Sequence, residues 1–216
     1  MQVRYRSDAE IEGEAQHLID RYAQAKPWCA ASPIPIERLI IFLDLRQEIQ
    51  DLYNFLGVER DSQGDLLGAL SFSTRTIHVH QGIDPEDHPG QEGRFNFTLG
   101  HEVGHWVLHR DEFIADSQQQ SLFTGQAPLD IVCRRSNKAA RIEVQANRFA
   151  SCLLLPRELV TKAWRDVFGT QKTMTSEDRE RAIRVIARQF CTSVEATKIR
   201  INELGLSGRL QRDLGV

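Results

Sequence analysis

The chain has 216 residues, 41% hydrophobic and 26% charged, which suits one packed domain, or a domain with a small appendage, and excludes global disorder. A formal net charge of -3 excludes coating of nucleic acid by bulk charge, though not a local basic patch. The N-terminal stretch MQVRYRSDAE lacks the apolar core of a secretory signal, and runs such as Leu39 to Leu43 are too short to span a bilayer. A cytoplasmic protein with no membrane partner is expected. Cys29, Cys133, Cys152 and Cys191 are scattered with no CxxC pair, which favours reduced thiols and offers no cysteine-based zinc site.

Ser7 with Glu10 reads as a capping box, and Ile11, Ala15, Leu18, Ile19 and Tyr22 repeat behind it at helical spacing. Prolines between Lys26 and Pro35 end that pattern, and a shorter helix is expected over Ile36 to Leu43. The period then changes. Gln47 to Tyr53, Leu67 to Phe72 and Thr76 to His80 read as three antiparallel strands, the last with Ile77 and Val79 on one face and His78 and His80 on the other. A loop rich in Pro, Gly and Asp covers Asp84 to Gly93. A helix follows over Arg94 to Arg110, and Asp111 to Arg135 reads as a long polar connector. Ser136 is placed to cap a helix ending before Pro156, and another helix covers Pro156 to Phe168. After a polar linker, helices are expected over Ser176 to Phe190 and Thr192 to Leu204, the second with a capping box at Thr192 and Glu195. Ile183, Ile186 and Phe190 would face Val194, Ile201 and Leu204. The class is α+β, with a body over 1–175 and a helical tail over 176–216.

His101-Glu102-Val103-Gly104-His105 is an HExxH motif. Residues four apart on a helix share a face, so two imidazoles can grip one tetrahedral Zn2+. Glu102 adjoins the first ligand without being one, and is placed to take a proton from water and deliver it to a leaving amine. Two surface histidines on an ordinary helix are the alternative. The apolar flanks (Phe95, Phe97, Leu99, Val103, Trp106, Val107, Leu108) argue against it, because buried His and Glu need partners.

A catalytic zinc wants three protein ligands and an open position. Leu108 and Asp111 stand where a metzincin has Gly and His, which excludes that class. Glu143, on the helix after the connector, is the favoured third ligand; His109, Asp111, Glu112 and Asp116 are its rivals. His109 lies two turns from His101, where the helix has rotated by about 80°, so it is better read as supporting a ligand or as structural.

The run Arg94-Phe95-Asn96-Phe97-Thr98-Leu99-Gly100-HEVGHWVLH resembles the signature of ImmA/IrrE-type zinc metallopeptidases. So does Glu143-Val144-Gln145-Ala146-Asn147-Arg148-Phe149-Ala150, ending in Leu153-Leu154-Leu155-Pro156. The resemblance implies a zincin-like fold of gluzincin type with Glu143 as third ligand. It also implies a cytoplasmic regulatory protease that cuts a DNA-binding repressor, and an amide such as Asn147 steadying a ligand histidine through its second nitrogen. The connector is longer than the pattern suggests, and Gly100 stands where alanine is commoner.

If Thr76 to His80 is an edge strand, His78 and His80 line the cleft and the strand pairs with an extended substrate; otherwise both simply face solvent. His78, His80, Arg141 and Arg148 are candidates for stabilising the oxyanion. Residues 178 to 213 carry eight Lys or Arg against five acids, a net of +3, so a helix-turn-helix that binds DNA beside an inactive protease is a rival reading. Packing of the tail on the body is favoured over it. A non-catalytic interaction module that keeps zinc for stability is a third reading, opposed by the intact Glu102.

Overall fold

In the computed structural model, residues 4–26, 32–60, 65–124, 131–132, 140–168 and 175–206 are described. The capping box at Ser7 forms: its hydroxyl accepts from the Glu10 backbone N–H, and the Glu10 carboxylate accepts from the Ser7 N–H. It opens α1 (Asp8–Ala25), which buries Ile11, Ala15, Leu18, Ile19 and Tyr22. A cap contributes about 1 kcal/mol, so burial of that face holds the helix in place. A short helix α2 (Ile36–Phe42) follows.

The sheet departs from the three antiparallel strands that the pattern suggests. Strand β1 (Arg46–Gln50) stops where Asp51 caps α3 (Leu52–Leu56) by accepting from the Tyr53 and Asn54 N–H groups. Strands β2 (Gly68–Ser71) and β3 (Thr76–His80) form an antiparallel pair, turned by residues 72–75 with Arg75 at φ 55°. Because α3 carries the chain away from β1, β3 returns beside β1 in parallel. A two-residue strand β4 (Ile131–Val132) adds to the other side of β2, giving the order β1-β3-β2-β4. Strand β3 is therefore interior, not an edge.

The pleat sends Ile77 and Val79 into the main core with Leu99 and Val103 of α4 (Glu92–Thr124). His78 and His80 go to the opposite face, where Phe55 and Tyr53 of the α3 turn pack against them. Helix α4 runs on through 111–124, where the sequence pattern suggested a connector. No Gly or Pro stands between Arg110 and Gly125, so nothing stops the helix earlier. Ser136 lies outside the described residues.

Helix α5 (Ala140–Leu154) packs along α4 and α1, and Pro156 separates it from α6 (Arg157–Phe168). Helices α7 (Ser176–Gln189) and α8 (Val194–Glu203) build a second core with α6, from Val160, Trp164, Ile183, Ile186, Phe190 and Ile201. Leu204 packs on it, but Val194 is exposed. Ser193, not Thr192, caps α8; Thr192 is buried and its hydroxyl meets that of Thr197 at 2.8 Å. Arg200 is fully buried: its Nε donates to the Leu155 carbonyl at 3.0 Å and an amino group meets Glu12 of α1 at 2.5 Å. The tail is thus bonded to both α1 and the end of α5. Among the described residues no helix is long and apolar enough to cross a membrane.

Candidate metal centre

Helices α4 and α5 share the most extensive contact in the fold. Gly104 permits it, since a Cβ there would lie 3.1 Å from the Ala146 carbonyl oxygen and 3.2 Å from the Phe149 Cβ. At Gly100 an added Cβ would meet Ala150 and Leu154 at 3.4 Å, an ordinary contact, so alanine would fit there.

This approach brings three donor side chains together. The Nε2 atoms of His101 and His105 are 3.0 Å apart, and Glu143 oxygens lie 3.2 Å from the first and 3.4 Å from the second. Both histidines are buried and Glu143 nearly so. The three form a potential metal-binding group. Burial opposes the charge on Glu143, but hydrogen bonds and charge from the two imidazoles outweigh it and hold the carboxyl well below the usual carboxylate range. The triangle therefore calls for positive charge at its centre, from protons or from a metal that displaces them.

Glu102 is 4% exposed and lines the same pocket of about 230 Å³ with Leu67, Gly68, Arg94, Phe97 and Thr98. A Cβ on Gly68 would lie 2.5 Å from Glu102 Oε1 and 2.7 Å from Thr98 Cγ2, so only glycine lets β2 approach the carboxylate.

Behind the triangle, His101 Nδ1 meets Asn147 Oδ1 at 2.9 Å. His105 Nδ1 meets His109 Nδ1 at 3.2 Å, and His109 Nε2 meets Gln145 Oε1 at 2.9 Å. Burial pushes His109 down to about 4, with the Gln145 hydrogen bond working the other way.

A family model for peptidase M78, the IrrE N-terminal-like domain, matches residues 74–202. The chain belongs to this family. The match takes in β3, the HExxH helix, Glu143 and nearly all of α8. A solved structure described as a Mycobacterium tuberculosis transcriptional regulator is similar in fold, with TM-score 0.50 and 14% identity over 96% of this chain and 49% of that one. The chain spans about half the length of that protein. No curated protein sequence matches it.

In this M78 domain, His78 and His80 lie away from the pocket, contrary to the reading that puts them in the cleft or in solvent. His78 Nδ1 meets Gln50 at 2.9 Å and Glu48 at 3.4 Å; His80 Nδ1 accepts from the Leu52 N–H at 3.3 Å. Arg148 is paired with Glu203 and Asp8, and Arg141 is exposed. Of the rival ligands, His109 meets His105 from behind and Asp111 is exposed. The side chain of Asp116 lies outside the described residues.

Sequence reasoning overlooked Gln145 and Gly68. Gln145 shares the buried face of α5 with Ile142, Ala146 and Phe149, and a polar residue on an apolar face is a readable signal. Gly68 carries no such signal, because its role depends on which helix crosses the strand.

Proposed function

We propose that the chain is a zinc-dependent endopeptidase of gluzincin type, cutting a cytoplasmic helix-turn-helix repressor at one site. The observation that carries the metal is the convergence of His101, His105 and Glu143: the two Nε2 atoms are 3.0 Å apart, with Glu143 Oε2 3.2 Å from His101 and Oε1 3.4 Å from His105. Ligands about 2.0–2.1 Å from a tetrahedral zinc stand about 3.3 Å from one another, so the donor set fits. When bound, zinc supplies Lewis acidity at the scissile carbonyl and lowers the pKa of water.

Glu102, held in the pocket against Gly68 and Thr98, takes the proton from the attacking water and hands it to the leaving amine. Asn147 orients His101 through Nδ1. The strand beside the chemistry is β2. Leu67 accepts from the His80 N–H, so by antiparallel alternation the Gly68 N–H and carbonyl point away from β3. That is the side on which β4 pairs with Leu70 and Ser71, and a substrate strand would lie beyond that pairing, across the pocket. Only an extended, unfolded segment fits such a place, which restricts cutting to a flexible loop in a partner. The repressor as partner rests on the ImmA/IrrE resemblance. The burial of Arg200 and its pairing with Glu12 support a packing role for the tail.

Elemental analysis should find about one zinc per chain, lost in His101→Ala and His105→Ala. Co-expression with the repressor encoded nearest its gene, followed by mass spectrometry, should show a single cut. Casein-like digestion without a preferred partner would count against a regulatory protease.

A further inference from the structure

We infer that Gln145 and the backbone carbonyl of Arg4 fix which nitrogen of His105 carries its proton, making the segment before α1 a working part of the metal centre. The inference rests on the metal reading above. The proton directions follow link by link. Gln145 Nε2 lies 3.1 Å from the Arg4 carbonyl oxygen, which can only accept, so the amide NH2 faces Arg4. Gln145 Oε1 then faces His109 Nε2 at 2.9 Å and can only accept, so the His109 proton is on Nε2. A metal held at His105 Nε2 leaves that ring's proton on Nδ1, and the atom facing it at 3.2 Å is His109 Nδ1, which then accepts through its lone pair. His105 thus donates from Nδ1, and Nε2, which faces Glu143 and His101, is the nitrogen left for the metal once its proton is displaced.

The two ligand histidines are thus supported unequally. His101 leans on one half-buried amide, Asn147, which can turn over. His105 leans on a chain of three links ending in backbone, and backbone cannot turn over. The N-terminal segment is itself held down where Arg6 donates to the Leu108 carbonyl on α4 at 2.7 Å. Leu108 adjoins His109, so one short stretch of chain holds the relay at Gln145 and again beside His109.

Two measurements test this. In 15N spectra of the histidine rings of wild-type protein, His109 should carry its proton on Nε2 and keep a bare Nδ1, with or without zinc. A proton on His109 Nδ1 overturns the inference and leaves the metal reading intact. A protein that binds no zinc but shows this His109 tautomer overturns the metal reading instead.

The second measurement is zinc affinity by competition with a chromophoric chelator. Asn places an oxygen where His109 has Nδ1, so His109→Asn should hold zinc about as well as wild type. His109→Leu and Gln145→Leu should bind about 10- to 100-fold more weakly, the usual cost of losing such support. Deleting residues 1–4, which leaves the Ser7 cap in place, should weaken binding in the same direction. If His109 served only as packing, the order would reverse, with Leu tolerated and Asn damaging.

Discussion

Strand β3 and helix α4 both carry histidines spaced to share a face, and all five of those side chains are buried. On β3 the imidazoles disperse. His78 meets Gln50 and Glu48 and packs on Phe55, and His80 takes the Leu52 N–H and packs on Tyr53. On α4 two Nε2 atoms converge on one carboxylate, with a third imidazole behind them. A shared face and burial thus lead to different chemistry on the two elements. The deciding factor is what stands opposite: hydrogen-bond partners and aromatic rings in one case, a carboxylate brought in by a separate helix in the other.

The sharpest way to break the comparison is at Glu102, the buried carboxylate outside the potential metal-binding group. Glu102→Gln should lose about 10²- to 10⁴-fold in peptide cleavage, the usual contribution of a general base, while elemental analysis still finds zinc. Cleavage at the wild-type rate would remove Glu102 from the mechanism. The convergence itself can be loosened from the helix contact. Gly104→Val places methyl groups against Ala146 and Phe149, forces α5 outward and draws Glu143 off its partners. Zinc affinity should fall by about 10- to 100-fold with the protein still folded, as thermal unfolding and metal competition would report together.

A control separates folding from the site. Burial pushes the Glu12 carboxyl up, but hydrogen bonds from Arg157 and Arg200 outweigh that and leave it below its ordinary value of 4.5. A depressed carboxylate contributes stability above that value and loses it as pH falls through the folded pKa. Glu12→Gln should therefore cost roughly 1.5–3 kcal/mol at neutral pH, with the gap to wild type closing under acid conditions. Denaturant unfolding across pH measures it; a gap independent of pH would deny the ion pair its role. The smallest effect belongs to β3. His78→Gln and His80→Gln should leave zinc content unchanged and cleavage nearly so, and a large loss of either would return β3 to the site.

The elements visible in the sequence are those whose cause is local. The cap and buried face of α1 depend on residues within a few turns, as does the one-face spacing of His101 and His105. The direction of β1 is not local: it depends on α3 carrying the chain away, so that β3 and not β2 becomes the neighbour. The extension of α4 through 111–124 is hidden by its polarity, which resembles a loop, although no Gly or Pro stands there to end the helix. Glu143 was legible as a favoured position among rivals, while its distances to the histidines depend on the Gly104 contact. The relay through Gln145 joins residues 141 apart in sequence, and no window along the chain holds both ends.

The donor set of two imidazoles and one carboxylate has a consequence for metal choice. Such a donor set obeys the general order of divalent affinities, in which copper outranks zinc and zinc outranks iron and manganese. Nothing in two imidazoles and a carboxylate reverses that order. Which metal the proposed site would take is therefore decided by the free ions around it, and copper surplus would displace the proposed zinc.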